Sequence, residues 1–224
     1  MSLFDSARFD VSAAAYDGCP PARLPEIAFA GRSNAGKSTT INVLTRKTRL
    51  AFSSKTPGRT QLLNFFSLTR KAPSGERIPA GYLVDLPGYG FAKANESIRG
   101  SWSELVGGYL AERPTLAGLV LVMDARRPFM PADEWVIDFM RERPGVRMLW
   151  LLNKSDQLKT MEKRAALKLA QARAAEFGSS VDVQLFSGLK REGVEQLRET
   201  LEAWLAPVAS ELEPTSESSN SLQQ

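Results

Sequence analysis

The residues with the clearest chemical potential form the stretch GRSNAGKS at 31–38, which fits the pattern G-x-x-x-x-G-K-[ST]. Its glycines let the backbone curl so that successive N–H groups point inward at the start of a helix, where they bind phosphate. In such a loop Lys37 contacts the β- and γ-phosphates of a nucleotide, and the Ser38 hydroxyl ligates Mg²⁺. The apolar run EIAFAG before it and a helix-compatible stretch after it supply the strand–loop–helix context. The predicted phosphate-binding residues are Gly31, Arg32, Ser33, Asn34, Ala35, Gly36, Lys37 and Ser38.

A second motif, VDLPGYGF at 84–91, raises a question about the chemistry. We expect Asp85 to hold Mg²⁺ through a water and the N–H of Gly88 to sense a γ-phosphate, with Leu86 and Pro87 in the same contact loop. In Ras-type GTPases the residue after this glycine is a glutamine that positions the attacking water. Here it is Tyr89, which cannot do so. Either the chain is no such hydrolase, or its water is positioned in another way.

The stretch NKSD at 153–156 indicates which base is bound. A carboxylate can accept hydrogen bonds from the N1–H and the amino group of guanine, a donor pair that adenine lacks, so Asp156 is the candidate base reader. Asn153 would tie this loop back to the phosphate loop, and the stem of Lys154 would lie on the purine face. Backbone N–H groups of SGLK at 187–190 would add contacts to guanine O6. The predicted base contacts are Asn153, Lys154, Ser155, Asp156, Phe186, Ser187 and Gly188.

The polar, glycine-punctuated stretch SSKTPGRTQ at 53–61 is expected to be a mobile loop between a helix and a strand. It holds two threonines that could cover the metal, Thr60 and Thr56. The residues predicted to contact the nucleotide here are Gly58, Arg59, Thr60, Gln61 and Leu62.

Alternating strand-like and helix-like stretches position these loops. Six strands are predicted, at 26–31, 62–70, 80–87, 116–125, 145–154 and 181–186, with the second and third as an antiparallel pair. The fold class is therefore α/β, a doubly wound, mostly parallel six-stranded sheet with one antiparallel strand, flanked by helices, with its site at the carboxyl ends of the strands. The expected organisation is an irregular segment at 1–24, a nucleotide-binding domain at 25–206 and a disordered tail at 207–224.

Composition narrows the chemistry further. The chain has no histidine and one cysteine, Cys19, which excludes the usual zinc sites and Ser-His or Cys-His nucleophile pairs. The sequence has neither a membrane span nor a signal peptide, so we expect a cytoplasmic monomer without membrane contact. From Ile27 to Gly75 there are nine Lys and Arg residues and no Asp or Glu. This excess suits a polyphosphate site, and equally a surface that meets nucleic acid phosphates.

Taken in order, GRSNAGKST, SSKTPGRTQLLNF, VDLPGYGFA, LVMDARRPF, LLNKSDQL and LFSGLK resemble the EngB family of ribosome-biogenesis GTPases, also called YihA or YsxC. The resemblance covers about residues 5–206, and TPGRTQ and DLPGYGFA are its most family-specific motifs. It implies a slow GTPase switch that binds GTP or GDP with Mg²⁺ and acts on the large ribosomal subunit, its rRNA and proteins. It places Mg²⁺ on Ser38, Thr60 and Asp85 and favours Thr60 over Thr56.

The resemblance also addresses the missing glutamine. Tyr89 looks like the apolar replacement found in related GTPases, with its side chain directed away from the γ-phosphate. Asn34 stands where potassium-activated relatives carry an asparagine, and our hypothesis is that K⁺ held there supplies positive charge in the reaction. The alternative is that Asn34 only stabilises the loop. The residues assigned to catalysis are Lys37, Asn34 and Gly88, and Arg59 is either a finger in cis or an rRNA contact.

Two other functions compete with this hypothesis. One is a P-loop kinase that passes phosphate to a small acceptor, which NKSD and the lack of an Arg-rich lid argue against. The other is a GTPase scaffold in cell division and septation or in tRNA modification. Among aromatic residues, Trp135 and Phe139 recur at helical spacing with Val136 and Met140, as core residues do, whereas Trp102 and Tyr109 are placed where a partner could bind.

Overall fold

The apolar runs of the sequence become the central strands of one sheet. The computed structural model describes residues 2–52, 62–89 and 96–206. In these ranges the strands are β1 Arg8–Ala13, β2 Glu26–Gly31, β3 Leu63–Lys71, β4 Arg77–Asp85, β5 Leu116–Asp124, β6 Arg147–Asn153 and β7 Val181–Leu185. The α-helices there are α1 Lys37–Leu44, α2 Glu96–Glu112, α3 Pro131–Arg141, α4 Thr160–Ala174 and α5 Val194–Trp204. The predicted alternation of strands and helices is confirmed, with ends that differ by a few residues.

The strand order is β1-β3-β4-β2-β5-β6-β7. β3 is antiparallel to both of its neighbours, whereas the β4–β2, β2–β5, β5–β6 and β6–β7 pairs are parallel. The predicted fold class, with one antiparallel strand, is therefore confirmed. Since β2 lies at the centre and parallel strands end at one edge, the loops after β2, β4, β5, β6 and β7 meet at that edge.

The described part of the sheet has seven strands rather than the predicted six, because β1 lies in the segment 1–24 that the sequence predicts to be irregular. β1 pairs with β3 at the edge of the sheet, and the Ser12 hydroxyl bonds Asn64 Oδ1 at 2.6 Å. Most of its side chains are at least partly exposed, and Phe9 is 58% exposed. An edge strand held mainly by backbone hydrogen bonds needs no apolar pattern, so its sequence does not reveal it.

Helices cover both faces of the sheet, and this explains the uninterrupted apolar runs of the central strands. Along β2, Ala28 and Ala30 face one core layer, which contains Trp150, and Ile27 and Phe29 face the other. The first layer is closed by α2, α3 and α4, and the second by α1 and α5. The rigid central strands therefore carry the loops at their ends.

The helices bury one face each. In α3, Val136 and Met140 are buried as predicted, while Trp135 is 43% exposed and stacks on Phe139. The prediction that Tyr109 contacts a partner is wrong, because its side chain is fully buried and its hydroxyl bonds Glu26 at 2.7 Å.

Across the described ranges, no helix combines the length and the hydrophobicity that a bilayer crossing requires.

Candidate nucleotide site

The phosphate loop connects β2 to α1 at the centre of the sheet edge. Gly36 caps the N-terminus of α1 with φ 100°, a left-handed conformation that favours glycine. A Cβ at this position would lie 2.1 Å from Asn153 Nδ2, so the close approach of the neighbouring loop also requires glycine. Asn34 is exposed and has φ 65°. The loop therefore has the backbone form that the glycine pattern predicts.

Lys37 and Asp85 form an ion pair between the first residue of α1 and the last residue of β4. Asp85 is almost completely buried, and this burial raises the pKa of its carboxyl although the Lys37 charge acts to lower it. If Lys37 turns toward a phosphate, the buried carboxylate needs another cation. The fold thus places Lys37 and Asp85, from two separate motifs, next to each other.

The oxygen donors near this pair suit Mg²⁺. The Ser38 hydroxyl lies in the buried first turn of α1, and the Asp85 carboxylate is beside Lys37. Mg²⁺ prefers such hard oxygens and usually keeps waters while binding one or two carboxylates and substrate phosphates. Among the described residues, no cluster of three or more His, Cys, Asp and Glu side chains could hold a metal alone. A magnesium site here therefore needs the oxygens of the nucleotide.

Asn153 joins three loops at the end of β6. Its Nδ2 donates to the Ala35 carbonyl at 2.8 Å, and its Oδ1 accepts from the Gly188 N–H at 3.2 Å. The predicted tie from the NKSD loop to the phosphate loop is present, and the same side chain also holds the loop after β7. Phe186 is fully buried, and its backbone bonds Leu152 and Ser155. It therefore supports this loop from the core.

Asp156 is positioned by the loop after β7. Its Oδ1 accepts a hydrogen bond from the Ser187 hydroxyl, which itself accepts from the Lys190 N–H at 3.0 Å. The carboxylate is partly exposed, so it is accessible to a ligand while its orientation is set. Ser187 and Asp156 come from two separate motifs, and the fold brings them into contact.

A cavity of about 420 Å³ opens between the phosphate loop and the β5 and β6 loops. Its volume is typical of small-ligand sites. The residues that line it are Arg32, Ser33, Asn34, Ala35, Asp124, Arg126, Arg127 and Lys154. Four of them are cationic, which suits a polyanionic ligand.

Asp124 is a residue of this cavity that sequence reasoning missed. Burial acts to raise the pKa of its carboxyl, but hydrogen bonds from Arg126 and Lys154 outweigh this and hold the pKa well below its usual range. Lys154 Nζ lies 3.1 Å from Asp124 and donates to the Asn34 carbonyl at 2.7 Å. Lys154 therefore spans the cavity from the NKSD loop to the phosphate loop. Asp124 lies at the end of a buried strand and within the motif LVMDARRPF, but the sequence gives this residue no role of its own.

Asp133, in the first turn of α3, is the second residue that the sequence did not reveal. It is fully buried and contacts Arg32 of the phosphate loop and the hydroxyl of Tyr89. Tyr89 is itself buried, and its hydroxyl bonds Asp133, so its side chain is directed toward α3. An aspartate in a first helical turn is ordinarily a cap, so its type and position alone carry no functional signal.

Some predicted contacts cannot be compared with the structure. Gly58, Arg59, Thr60, Gln61 and the alternative Thr56 lie outside the described residues. Leu62 is described and is partly buried just before β3.

A family model described as "50S ribosome-binding GTPase" matches residues 26–154. The probable GTP-binding protein EngB of Thiobacillus denitrificans is 47% identical over 208 residues, which cover 93% of this chain and 95% of that protein. Among solved structures, a probable GTP-binding protein engB is similar with a TM-score of 0.56 at 21% identity, covering 80% of this chain and 98% of that one. Era in complex with MgGDPNP and a segment of 16S ribosomal RNA gives a TM-score of 0.60 at 20% identity, covering 87% of this chain and 60% of that one.

The structural similarities are below 25% identity and show the P-loop GTPase fold, whereas the sequence similarity extends over nearly the whole chain. Together with the phosphate loop, the buried Lys37–Asp85 pair and the ordered base loops, they establish a guanine-nucleotide-binding GTPase. The chain belongs to the EngB family of GTP-binding proteins.

Proposed function

We propose that this protein is a GTP-dependent switch with slow, Mg²⁺-dependent hydrolysis, acting in the cytoplasm as a monomer on assembly of the large ribosomal subunit. Through that assembly it would be needed for normal growth and division. The observation that carries the proposal is the junction at Asn153, where the phosphate loop and both base loops are bonded together beside the Lys37–Asp85 pair. This arrangement couples base recognition to the phosphate end of one ligand.

In the proposed site each residue has a role set by its place in the fold. Lys37 turns from Asp85 to the β- and γ-phosphates, and the phosphate-loop N–H groups hold the same oxygens. Asp156, oriented by Ser187, accepts from the guanine N1–H and amino group. Gly88 offers its N–H to the γ-phosphate, which GDP lacks. The contact between the Gly88 N–H and the γ-phosphate thereby distinguishes GTP from GDP.

The residues that would hold Mg²⁺ are Ser38, Asp85 through a water, and Thr60. When bound, the ion neutralises charge that develops on the phosphate oxygens. The buried pair of Asp85 and Lys37 supports this assignment. When Lys37 turns to the phosphates, the buried Asp85 carboxylate loses its cation, which is strongly destabilising unless another cation replaces it. Nucleotide and metal should therefore bind together.

Because the chain lacks the glutamine, another group must orient the attacking water and supply positive charge beside the phosphate oxygens. Lys37 and the Gly88 N–H face the transferred group in this proposal, and Asn34, which borders the cavity, would hold K⁺ beside the phosphate oxygens. We expect hydrolysis in K⁺ to be faster than in Na⁺ at equal ionic strength. Equal rates in the two salts would leave Asn34 as a loop-stabilising residue only.

Three observations support the ribosomal partner. The matching family model is described as a 50S ribosome-binding GTPase, which names the large subunit. The Era neighbour is described in complex with 16S ribosomal RNA, which belongs to the small subunit, so it supports contact of this fold with ribosomal RNA in general. On this chain, exposed Arg49 follows α1 within the acid-free 27–75 region, three residues before Phe52, an aromatic residue that is 70% exposed. Arg46 is exposed as well, but it is paired with Asp5 and Glu195. Cations beside an exposed ring suit contact with RNA phosphates and bases. The alternative is a GTPase scaffold in cell division, septation or tRNA modification that does not act on the ribosome.

The deciding experiment is sedimentation of the purified protein with purified large ribosomal subunits at physiological K⁺. We expect co-sedimentation with a non-hydrolysable GTP analogue and release with GDP. Arg49→Glu is the first surface variant, and it should weaken co-sedimentation. Arg164→Glu, at an exposed position on α4, is the charge-matched control and should not. An absence of binding in both nucleotide states would contradict the ribosomal role and leave a guanine-nucleotide switch with another partner.

A further inference from the structure

The buried carboxylate of Asp133 holds two neighbouring segments of the nucleotide site, the phosphate loop and the loop after β4. Arg32 Nε lies 3.2 Å from Oδ1 and 3.0 Å from Oδ2, and the Tyr89 hydroxyl donates to Oδ1 at 3.0 Å. The Met130 N–H donates to Oδ2 at 3.1 Å, which is the helix-capping contact. Capping α3 requires only this last bond. The other two donors join α3 to the phosphate loop and to the residue after Gly88.

Capping of α3 alone does not explain why the Asp133 carboxylate is buried. The Asp133 side chain is 0% exposed, whereas the Arg32 side chain keeps 22% of its surface exposed. A carboxylate withdrawn from water is destabilising unless it is paired and fully hydrogen-bonded, and a solvent-facing Asp would cap α3 equally well. The guanidinium of Arg32 also donates to the Arg127 carbonyl at 2.9 Å, so its position is fixed from two sides.

The backbone beside this carboxylate is joined as well. The Ser33 N–H donates to the Tyr89 carbonyl at 2.9 Å, and Arg32 and Tyr89 form an isolated parallel β-bridge. A Cβ placed on Gly88 would lie 3.7 Å from both the Gly31 carbonyl and the Ser33 nitrogen, so Gly88 packs directly on the phosphate loop. These backbone contacts and the side-chain bonds to Asp133 together set the position of Gly88 beside that loop.

We propose that Asp133 is a positioning residue for the GTPase reaction, acting through Tyr89 and Arg32 to hold Gly88 at the distance from the phosphate loop that a γ-phosphate requires. The inference rests on the proposed contact between Gly88 and the γ-phosphate. A γ-phosphate must touch both Lys37 and Gly88, whereas the phosphates of GDP touch only the phosphate loop. Loss of the contact to Asp133 therefore weakens GTP selectively.

Tyr89→Phe tests this most directly, because it removes one hydroxyl and keeps the buried ring, while Asp133 keeps Arg32 and the Met130 N–H. We expect the affinity for a non-hydrolysable GTP analogue to fall about 10-fold, as for loss of one hydrogen bond to a charged group, with GDP affinity unchanged within about twofold. The single-turnover hydrolysis rate should fall as well. Asp133→Asn, which keeps an acceptor for Tyr89, should retain more of the analogue-to-GDP ratio than Asp133→Ala.

Tyr109→Phe is the matched control, since it also removes a buried tyrosine hydroxyl from a buried carboxylate, Glu26, at the other end of β2. It should lower the melting temperature and leave the analogue-to-GDP ratio unchanged. A wild-type ratio in Tyr89→Phe, or an equal loss of both nucleotides, would overturn the inference. This readout uses nucleotides alone, so it is independent of ribosome sedimentation, whose failure would instead remove the proposed partner.

Discussion

Asp156 is the side chain to which the proposed function assigns the choice of nucleotide. Its carboxylate is oriented by the Ser187 hydroxyl and remains partly exposed at the rim of the base loops. A carboxylate can only accept hydrogen bonds, so a base that presents acceptors there would leave charge unpaired. In the proposed role of Asp156, recognition therefore rests as much on rejection of adenine as on attraction of guanine.

Asp156→Asn should weaken GTP binding by about 100-fold and favour xanthosine nucleotides, because the amide offers a donor where xanthine carries an oxygen. Binding of fluorescent GTP and XTP analogues measures the exchange of preference. Asp182→Asn, which removes a charge from an exposed position on β7, should leave both affinities unchanged. An unaltered preference for GTP in Asp156→Asn would place the base reader elsewhere.

The residues of the site differ in how far the sequence reveals them. Lys37, Asp85 and Asn153 occur in motifs with fixed spacing, and the structure brings these motifs together as predicted. Asp133 has no such pattern, since its partner Arg32 lies 101 residues away and only tertiary packing joins them. Sequence patterns report local backbone requirements well, whereas a buried pair between distant segments depends on the whole sheet.

At the scale of elements, the same distinction separates the central strands from the edge. β5 and β6 are buried on both faces, so their apolar runs identify them. β1 gains little burial and is joined mainly through its backbone to β3, so its composition resembles a loop. The sequence also does not reveal the close contact between β5 and α5, because this contact joins Gly118 to the ring of Trp204, which is distant in the chain.

Gly118→Ala tests that contact. A Cβ on Gly118 would lie 2.3 Å and 2.4 Å from ring atoms of Trp204, so either the ring or the α5 helix that carries it must move. We expect the free energy of unfolding to fall by about 1–3 kcal/mol, measured by urea denaturation with an unchanged m-value.

Two variants control this measurement. Gly108→Ala places a methyl group in open space on α2 and should stabilise by about 0.5–1 kcal/mol, as expected for glycine replaced in a helix. Adding Trp204→Leu to Gly118→Ala should give a loss smaller than the sum of the two single losses, because the smaller side chain makes room. Strict additivity would mean that the ring and the methyl group do not meet.

At the scale of the whole molecule, the two ends of the strands carry different groups of residues. The carboxyl ends of the strands carry the nucleotide loops, while the start of β2 carries a buried ion pair between Glu26 and Arg113. Arg113 also donates to the Pro20 carbonyl at 2.6 Å, and Thr115 donates to Glu26 at 2.8 Å. This network attaches the N-terminal segment to the base of the sheet. Five residue steps of β2, about 16 Å, separate it from the phosphate loop.

Arg113→Met should therefore destabilise the fold without changing the site. It leaves the Glu26 carboxylate buried without its cation, so we expect a loss of about 3–5 kcal/mol in the free energy of unfolding, and the additional change Glu26→Gln should restore part of it. GDP at one fixed concentration, 100 times its dissociation constant for the wild type, should stabilise wild type and variant alike, by about 2.7 kcal/mol, because sites this far apart behave additively. Urea unfolding with and without GDP measures both quantities. A smaller GDP increment in Arg113→Met would mean that the base of β2 helps to position the phosphate loop.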